Sequence, residues 1–217
     1  RAKDFSKDQS YFLFTTTSEQ LDFLRFPLGD LDKSETRALA ERFNLPVANK
    51  PDSQDICFVP NGNYAQLVSK LRPGACDPGE IVHVDGNVVG QHDGIIHYTV
   101  GQRRGLGVSS FNPLYVVSVD PTSRQVIVGP RSALLKSDIS VTDLNWLSSN
   151  VFPNDGLPVM IKIRSASTPS SARLFASKNG NFNVIPDEPL DSVAPGQACV
   201  FYQGDRVLGG GWIMRDQ

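Results

Sequence analysis

Apolar residues follow two different periods along this chain. As far as Leu71 they recur at spacings of three and four, and from Ile81 onward they alternate with polar residues, the patterns of amphipathic helix and half-buried strand respectively. The spacing predicts a first helix opened by the capping box of Thr17 and Gln20, running through Leu21, Phe23 and Leu24 and ended by Pro27 and Gly29. Asp32 and Glu35 repeat that logic for a second helix, with Thr36, Leu39, Ala40 and Phe43 on one face and Asn44-Leu45-Pro46 as its stop. A third is predicted from Asn63 through Tyr64, Leu67, Val68 and Leu71, closed by Pro73-Gly74. Ahead of all three, residues 9–14 form a short aromatic run entered through the polar triplet Lys7-Asp8-Gln9.

Beyond residue 80 the alternation predicts strands. Asp85-Gly86-Asn87 between residues 81–84 and 88–89 is a hairpin turn, because Asp-Gly tolerates the positive φ that tight hairpins need. A second hairpin joins residues 115–119 to 125–128. Short strands are then expected at 141–146, 159–164, 172–176, 182–185, 198–202 and 206–214, the spacing of a small barrel or sandwich. The clearest turns among them are 178–181 and 203–205. The fold class read from this pattern is α+β, mostly β.

With 217 residues, 40% hydrophobic and 20% charged, the chain is long enough for a sizeable core. No apolar run reaches the length of a membrane span, so no membrane partner is expected and a cytoplasmic location is the default. Three cysteines, Cys57, Cys76 and Cys199, argue against a disulfide framework, and with three histidines their spacing fits no zinc motif. A net charge of −2 gives no whole-chain sign of polyanion binding. The chain opens at Arg1 and runs straight into patterned sequence, so it is expected to be the later part of a longer protein.

Two stretches carry candidate chemistry. Lys50-Pro51-Asp52-Ser53-Gln54-Asp55-Ile56-Cys57-Phe58 sets Cys57 behind polar residues, where it is either a thiol at the mouth of a site or a small hydrophobe on a buried strand. Tyr98-Thr99-Val100-Gly101-Gln102-Arg103-Arg104-Gly105-Leu106-Gly107 is a glycine-rich loop with adjacent arginines. It allows contact with an RNA backbone, but it lacks the terminal Lys-Ser/Thr pair of a P-loop, and a structural tight turn is the commoner use of such a run. His83, His92 and His97 raise a cysteine hydrolase reading with Cys57, which their spacing does not support.

Five blocks in order resemble the tRNA-specific 2-thiouridylase family: residues 7–13, Phe26-Pro27-Leu28-Gly29, Lys50 with residues 52–58, residues 97–107, and Ala194-Pro195-Gly196-Gln197 with Phe201-Tyr202. The resemblance implies an ATP-dependent sulfurtransferase that replaces the C2 oxygen of the wobble uridine of tRNA by sulfur. Cys57 matches the cysteine that carries the sulfur as a persulfide, since a thiolate can accept sulfur and release it when a second thiol closes a disulfide. Asp52 and Asp55 would raise its pKa unless Lys50, a helix end or another domain offsets them. The Lys7-Asp8-Gln9 triplet, Arg164-Ser165 and Gln197 match tRNA-contacting positions, with Gln9 able to read the polar edge of an extruded uridine and Arg164 placed on a barrel strand. Arg103, Arg104, Lys162, Arg173 and Lys178 are candidates for a diffuse basic face.

The resemblance further implies a sulfur-relay protein or cysteine desulfurase as persulfide donor, Mg2+ accompanying ATP, and a monomer. It divides the chain into the end of an ATP-pyrophosphatase domain (1–60), a central β-rich domain (61–136) and a C-terminal β-barrel (137–217). The family's Ser-Gly-Gly-x-Asp-Ser phosphate loop is absent from the sequence, so the chain alone is expected to lack turnover. A noncatalytic RNA-binding β module with a structural Cys57 is the competing class.

Overall fold

The computed structural model describes residues 1–50, 68, 70, 74, 76–148, 153, 155–177 and 180–215. Contacts divide the chain into two compact units, one of Asp52–Lys136 with Leu190–Val193 and the other of Arg1–Pro51, Ser137–Pro189 and Ala194–Gln217. Among the described residues no helix is long and apolar enough to cross a membrane.

The first unit holds a four-stranded sheet of β1 (Gly79–His83), β2 (Val88–His92), β3 (Tyr115–Asp120) and β4 (Gln125–Gly129), in the order β2-β1-β4-β3. Both predicted hairpins form. Gly86 takes the positive φ of 92° expected at its turn. What alternation alone does not carry is the parallel pairing of β1 with β4, which places Ile81 opposite Val126 and His83 opposite Val128. That pairing turns two hairpins into one sheet, and its buried side chains, Ile81, Val116, Val126 and Val128, pack with Leu106 from the glycine-rich loop.

The second unit is built on a closed barrel. Its strands are β5 (Ile139–Trp146), β6 (Leu157–Lys162), β7 (Ser170–Ala176), β8 (Phe182–Pro186), β9 (Ala198–Gln203) and β10 (Arg206–Ile213), closed in the order β10-β5-β8-β7-β6-β9. Closure leaves no sheet edge unpaired. Every strand expected in this region is present, but β6 ends at Lys162. Arg164 therefore lies not on a strand, as expected, but in the turn after it, where the Ser167 amide donates to the Arg164 carbonyl.

In the same unit α1 (Ser18–Phe23) and α2 (Lys33–Arg42) carry the expected capping boxes, each reciprocal: Thr17 with Gln20, and Asp32 with Glu35. On the expected face of the second helix Thr36, Leu39 and Ala40 are half-buried, whereas Phe43, its C-cap, is 65% exposed. The capping signal is local and reads correctly, whereas burial depends on what packs against the helix. The third predicted helix lies outside the described residues except for positions 68 and 70, which are helical.

Candidate nucleic-acid interface

The site begins with β9. Its residues Ala198 to Tyr202 are all buried, although a barrel strand needs only alternate residues inside. Cys199 and Phe201 form one alternate set. Ala198, Val200 and Tyr202 form the other, and they cluster with Tyr11 and Phe14 from the aromatic run. That run folds as a 3-10 turn, Ser10–Leu13, lying against the barrel. Burying two aromatic side chains contributes about 1.5–3 kcal/mol each before ordering costs.

Polar contacts fix the register of this docking. The Tyr11 hydroxyl donates to the Ala198 carbonyl at 2.9 Å, and Asn145 Nδ2 donates to the carbonyls of Phe14 at 2.7 Å and Thr16 at 2.9 Å. Phe14 meets Trp212 edge to face at 5.1 Å between centroids. It also lies over Gly210, where a Cβ would come within 2.7 Å of its ring. Burial pushes the Tyr11 phenol up to about 12, with the charge of Arg164 acting in the opposite sense.

Asp8 anchors the entry to the run. The residue is 9% exposed, and its carboxylate accepts from Arg1 Nε at 2.8 Å, Ser10 Oγ at 3.0 Å, and the amides of Ser10 at 3.1 Å and Ala2 at 3.3 Å. Burial pushes this carboxyl up, but the hydrogen bonds outweigh it and hold the group below its ordinary value. The Arg1 guanidinium also lies over the Phe5 ring at 4.4 Å and the Tyr202 ring at 5.3 Å. Asp8 thus spends its acceptors inside the protein, while Lys7 and Gln9 on either side of it are exposed.

Lys162 is the second anchor, and it corrects an expectation. Rather than joining a basic face, it is 5% exposed and donates from Nζ to the Ser165 carbonyl at 2.6 Å. Burial lowers its pKa; Arg1 adds to that effect and Asp8 opposes it. The contact ties β6 to the turn carrying Arg164 and Ser165, of which Arg164 is exposed. Arg173, another expected member of that face, donates to the carbonyls of Asp155 and Gly156, and Lys178 lies outside the described residues.

Gln197 is exposed immediately before β9, its amide donating to Ala194 and its carbonyl accepting from Ile213. The structure therefore brings the polar triplet, the Arg164-Ser165 turn and Gln197 around the Tyr11 docking site in one unit. Cys57 lies outside the described residues. Sequence reasoning did not find the supporting contacts of Arg1, Ser10, Tyr11, Lys162 and Tyr202; for Tyr11 alone there was a signal, the density of aromatics in residues 11–14.

Chemically this cluster can hold a polyanion and read polar edges, but it carries no nucleophile. Cys199 is fully buried, and burial pushes its thiol far up. Among the described residues no group of three metal-ligating side chains occurs. The histidines are occupied or exposed: His92 accepts from the Gly94 amide at Nδ1 and meets the Arg124 carbonyl through Nε2, His83 pairs with Asp85, and His97 is exposed.

Three family profiles match in succession: "tRNA methyl transferase HUP domain" over residues 1–61, "tRNA methyl transferase PRC-barrel domain" over 68–130, and "Aminomethyltransferase beta-barrel domain" over 136–213. The tRNA-specific 2-thiouridylase MnmA of Rhodospirillum centenum is 59% identical over 223 residues, covering 99% of this chain and 56% of the relative. The chain belongs to the tRNA-specific 2-thiouridylase family. The 2-thiouridylase of Parvibaculum lavamentivorans is 56% identical over 227 residues, 100% of this chain and 57% of the relative. That of Rickettsia canadensis is 55% identical over 213 residues, 98% of this chain and 58% of the relative. The chain thus spans little more than half the length of these family members.

Proposed function

We propose that this chain is the tRNA-positioning and sulfur-delivering part of a tRNA-uridine 2-sulfurtransferase that thiolates the wobble uridine in an ATP-dependent reaction. The observation supporting it most directly is the docked segment in which buried Asp8 holds Lys7 and Gln9 outward, in the unit that also presents Arg164, Ser165 and Gln197. Asp8 acts as a positioning residue. Lys7 and Arg164 supply charge for phosphate, and the amides of Gln9 and Gln197 suit ribose or the polar edge of an unstacked uridine. Rigid mounting matters because contacts made by preordered side chains lose less entropy on binding.

Cys57 is assigned the role of sulfur carrier. As a persulfide its terminal sulfur attacks C2 of the activated uridine, the oxygen departs with its activating group, and a second thiol cleaves the remaining S–S bond to form a disulfide. ATP is the co-substrate that activates the oxygen. The sequence has no Ser-Gly-Gly-x-Asp-Ser run, so ATP and Mg2+ are assigned to the portion of the relatives outside the match. The second thiol is placed there too. A sulfur-relay protein or cysteine desulfurase supplies the persulfide, and the enzyme works as a cytoplasmic monomer. The domains follow the division at residues 60 and 136.

The test is product analysis with a chain extended to the length of its relatives. Unmodified tRNA, ATP and a persulfide donor should yield 2-thiouridine at the wobble position. Methylated uridine formed with a methyl donor, and no thiolated product, would overturn the assignment in favour of the chemistry named by the profiles.

A further inference from the structure

The glycine-rich loop, residues 98–107, belongs to the sheet unit. Its backbone is tightly held: Gly101 donates to the Val116 carbonyl and the Val116 amide to that of Gln102, so the loop is laced to β3. The Gln102 side chain spans the turn, accepting from the Thr99 amide at 3.0 Å and donating to the Arg104 carbonyl at 2.9 Å. Gly105 and Gly107 sit at φ of 72° and 69°, and Leu106 between them is buried in the sheet core. Other side chains at these two glycines are disfavoured by backbone conformation and not by lack of room.

This frame presents Arg103 and Arg104 to solvent, and neither guanidinium has a hydrogen-bond or ion-pair partner among the described residues. A cavity of about 300 Å³ opens beside Arg103, with Leu106, Val108 and Leu114 as apolar lining and Ser110 and Asn112 as polar lining. Between Ser110 and Asn112 stands Phe111, fully exposed at 102% of its reference area. The Phe111 ring stands wholly in water between two residues of that lining, and with the exposed guanidiniums of the preceding turn it offers an aromatic face and positive charge, which suit a ligand that is both flat and anionic.

We propose that this loop and Phe111 form a second RNA contact, taking one unpaired nucleotide. Arg103 and Arg104 hold the phosphates, the base stacks on Phe111, and the ribose lies over the apolar lining, with Ser110 and Asn112 in reach of its polar edge. The combination is that of single-strand binding, in which charge follows the backbone and an aromatic platform takes the base. The proposal deepens the reading of the protein as tRNA-binding and rests on it.

The test measures binding of an unmodified tRNA transcript to the full chain across a salt series, with a fully paired RNA stem as comparison. Replacing both arginines by glutamine (Arg103→Gln, Arg104→Gln) should weaken tRNA binding about tenfold and reduce the slope of log K against log salt by roughly 1–2, as expected for two lost phosphate contacts. Phe111→Ala should weaken it roughly 5- to 100-fold without changing that slope. Phe111→Trp should retain affinity and Phe111→Leu should not. None of these variants should alter binding of the paired stem by more than the arginine effect. Since Phe111 is fully exposed, thermal melts of its variants should match the wild type.

Wild-type affinity in all four variants would overturn this inference alone and leave the tRNA reading intact. Failure of the wild-type chain itself to bind tRNA would overturn both. Equal binding by Phe111→Leu and Phe111→Trp would refute stacking and with it the proposed contact.

Discussion

Asp8→Asn removes one charge from the anchor of the docked segment. The carboxylate accepts four hydrogen bonds, one of them from a guanidinium whose side chain is 12% exposed. Asparagine retains a single acceptor oxygen and turns an amide NH2 toward at least one donor. Hydrogen bonds to charged groups contribute about 1.5–3 kcal/mol each, but those around one carboxylate are not additive, and Arg1 can recover some hydration. The expected loss is therefore about 2–4 kcal/mol, below the ceiling of roughly 3–5 kcal/mol for breaking a fully buried pair. In a unit of this size that lowers the melting midpoint by roughly 5–15 °C.

Tryptophan fluorescence isolates the effect. The two tryptophans of the sequence, Trp146 and Trp212, both lie in the barrel, and Trp212 touches Phe14 of the docked run. The pH dependence has a definite sign. A carboxyl held below its ordinary value stabilises the fold above the unfolded pKa of about 4, and that contribution is lost as pH falls through the folded value. The variant should be destabilised at neutral pH and should lose part of the wild type's acid-limb decline. Asp30→Asn, on an exposed carboxylate, should change neither. An Asp8→Asn midpoint within 1 °C of wild type, with an unchanged acid limb, would refute the anchoring argument.

Gly210→Ala should displace Phe14 and destabilise the barrel by about 1–3 kcal/mol, with a shift in Trp212 emission; an unchanged spectrum and midpoint would contradict the packing of the docked run. Cys199 should resist iodoacetamide at pH 8 until the protein unfolds, whereas exposed Cys76 should react in the native state; peptide mapping that finds Cys199 alkylated early would contradict its place inside the barrel. His92→Ala should destabilise the sheet unit by about 1–3 kcal/mol through loss of its two ring contacts and leave tRNA binding unchanged, whereas loss of an esterase activity in that variant would support hydrolase chemistry.

What could be read in advance depended on how local its cause is. The capping boxes at Thr17 and Asp32 and the Asp85-Gly86 turn arise from atoms within three or four residues, and they form as expected. The barrel strands were legible from alternation, since each needs only one inward face. The parallel pairing of β1 with β4 joins residues about 45 apart in sequence, and nothing in either strand announces its partner. Lys162 reads as a surface residue by type, and only the turn that brings the Ser165 carbonyl back to its amine makes burial tolerable. Asp8 looked like a ligand-contacting residue beside Lys7 and Gln9; that its carboxylate would accept four hydrogen bonds from within the protein could not be read from the triplet. The periodicity of α2 marked the face on which Thr36, Leu39 and Ala40 are half-buried, but it could not say that Phe43 would be left exposed.

Whether Cys57 carries the transferred sulfur is decided by labelled sulfur. The chain extended to the length of its relatives is given tRNA, ATP and a labelled persulfide donor, as wild type and as Cys57→Ser. A sulfur-carrying Cys57 gives label on the wild-type protein that is released by a thiol reductant, label in tRNA at the wobble uridine, and neither in the serine variant, although that variant still binds tRNA. Equal labelling of tRNA by Cys57→Ser would contradict the account and leave this chain as an RNA-positioning module for chemistry carried out elsewhere.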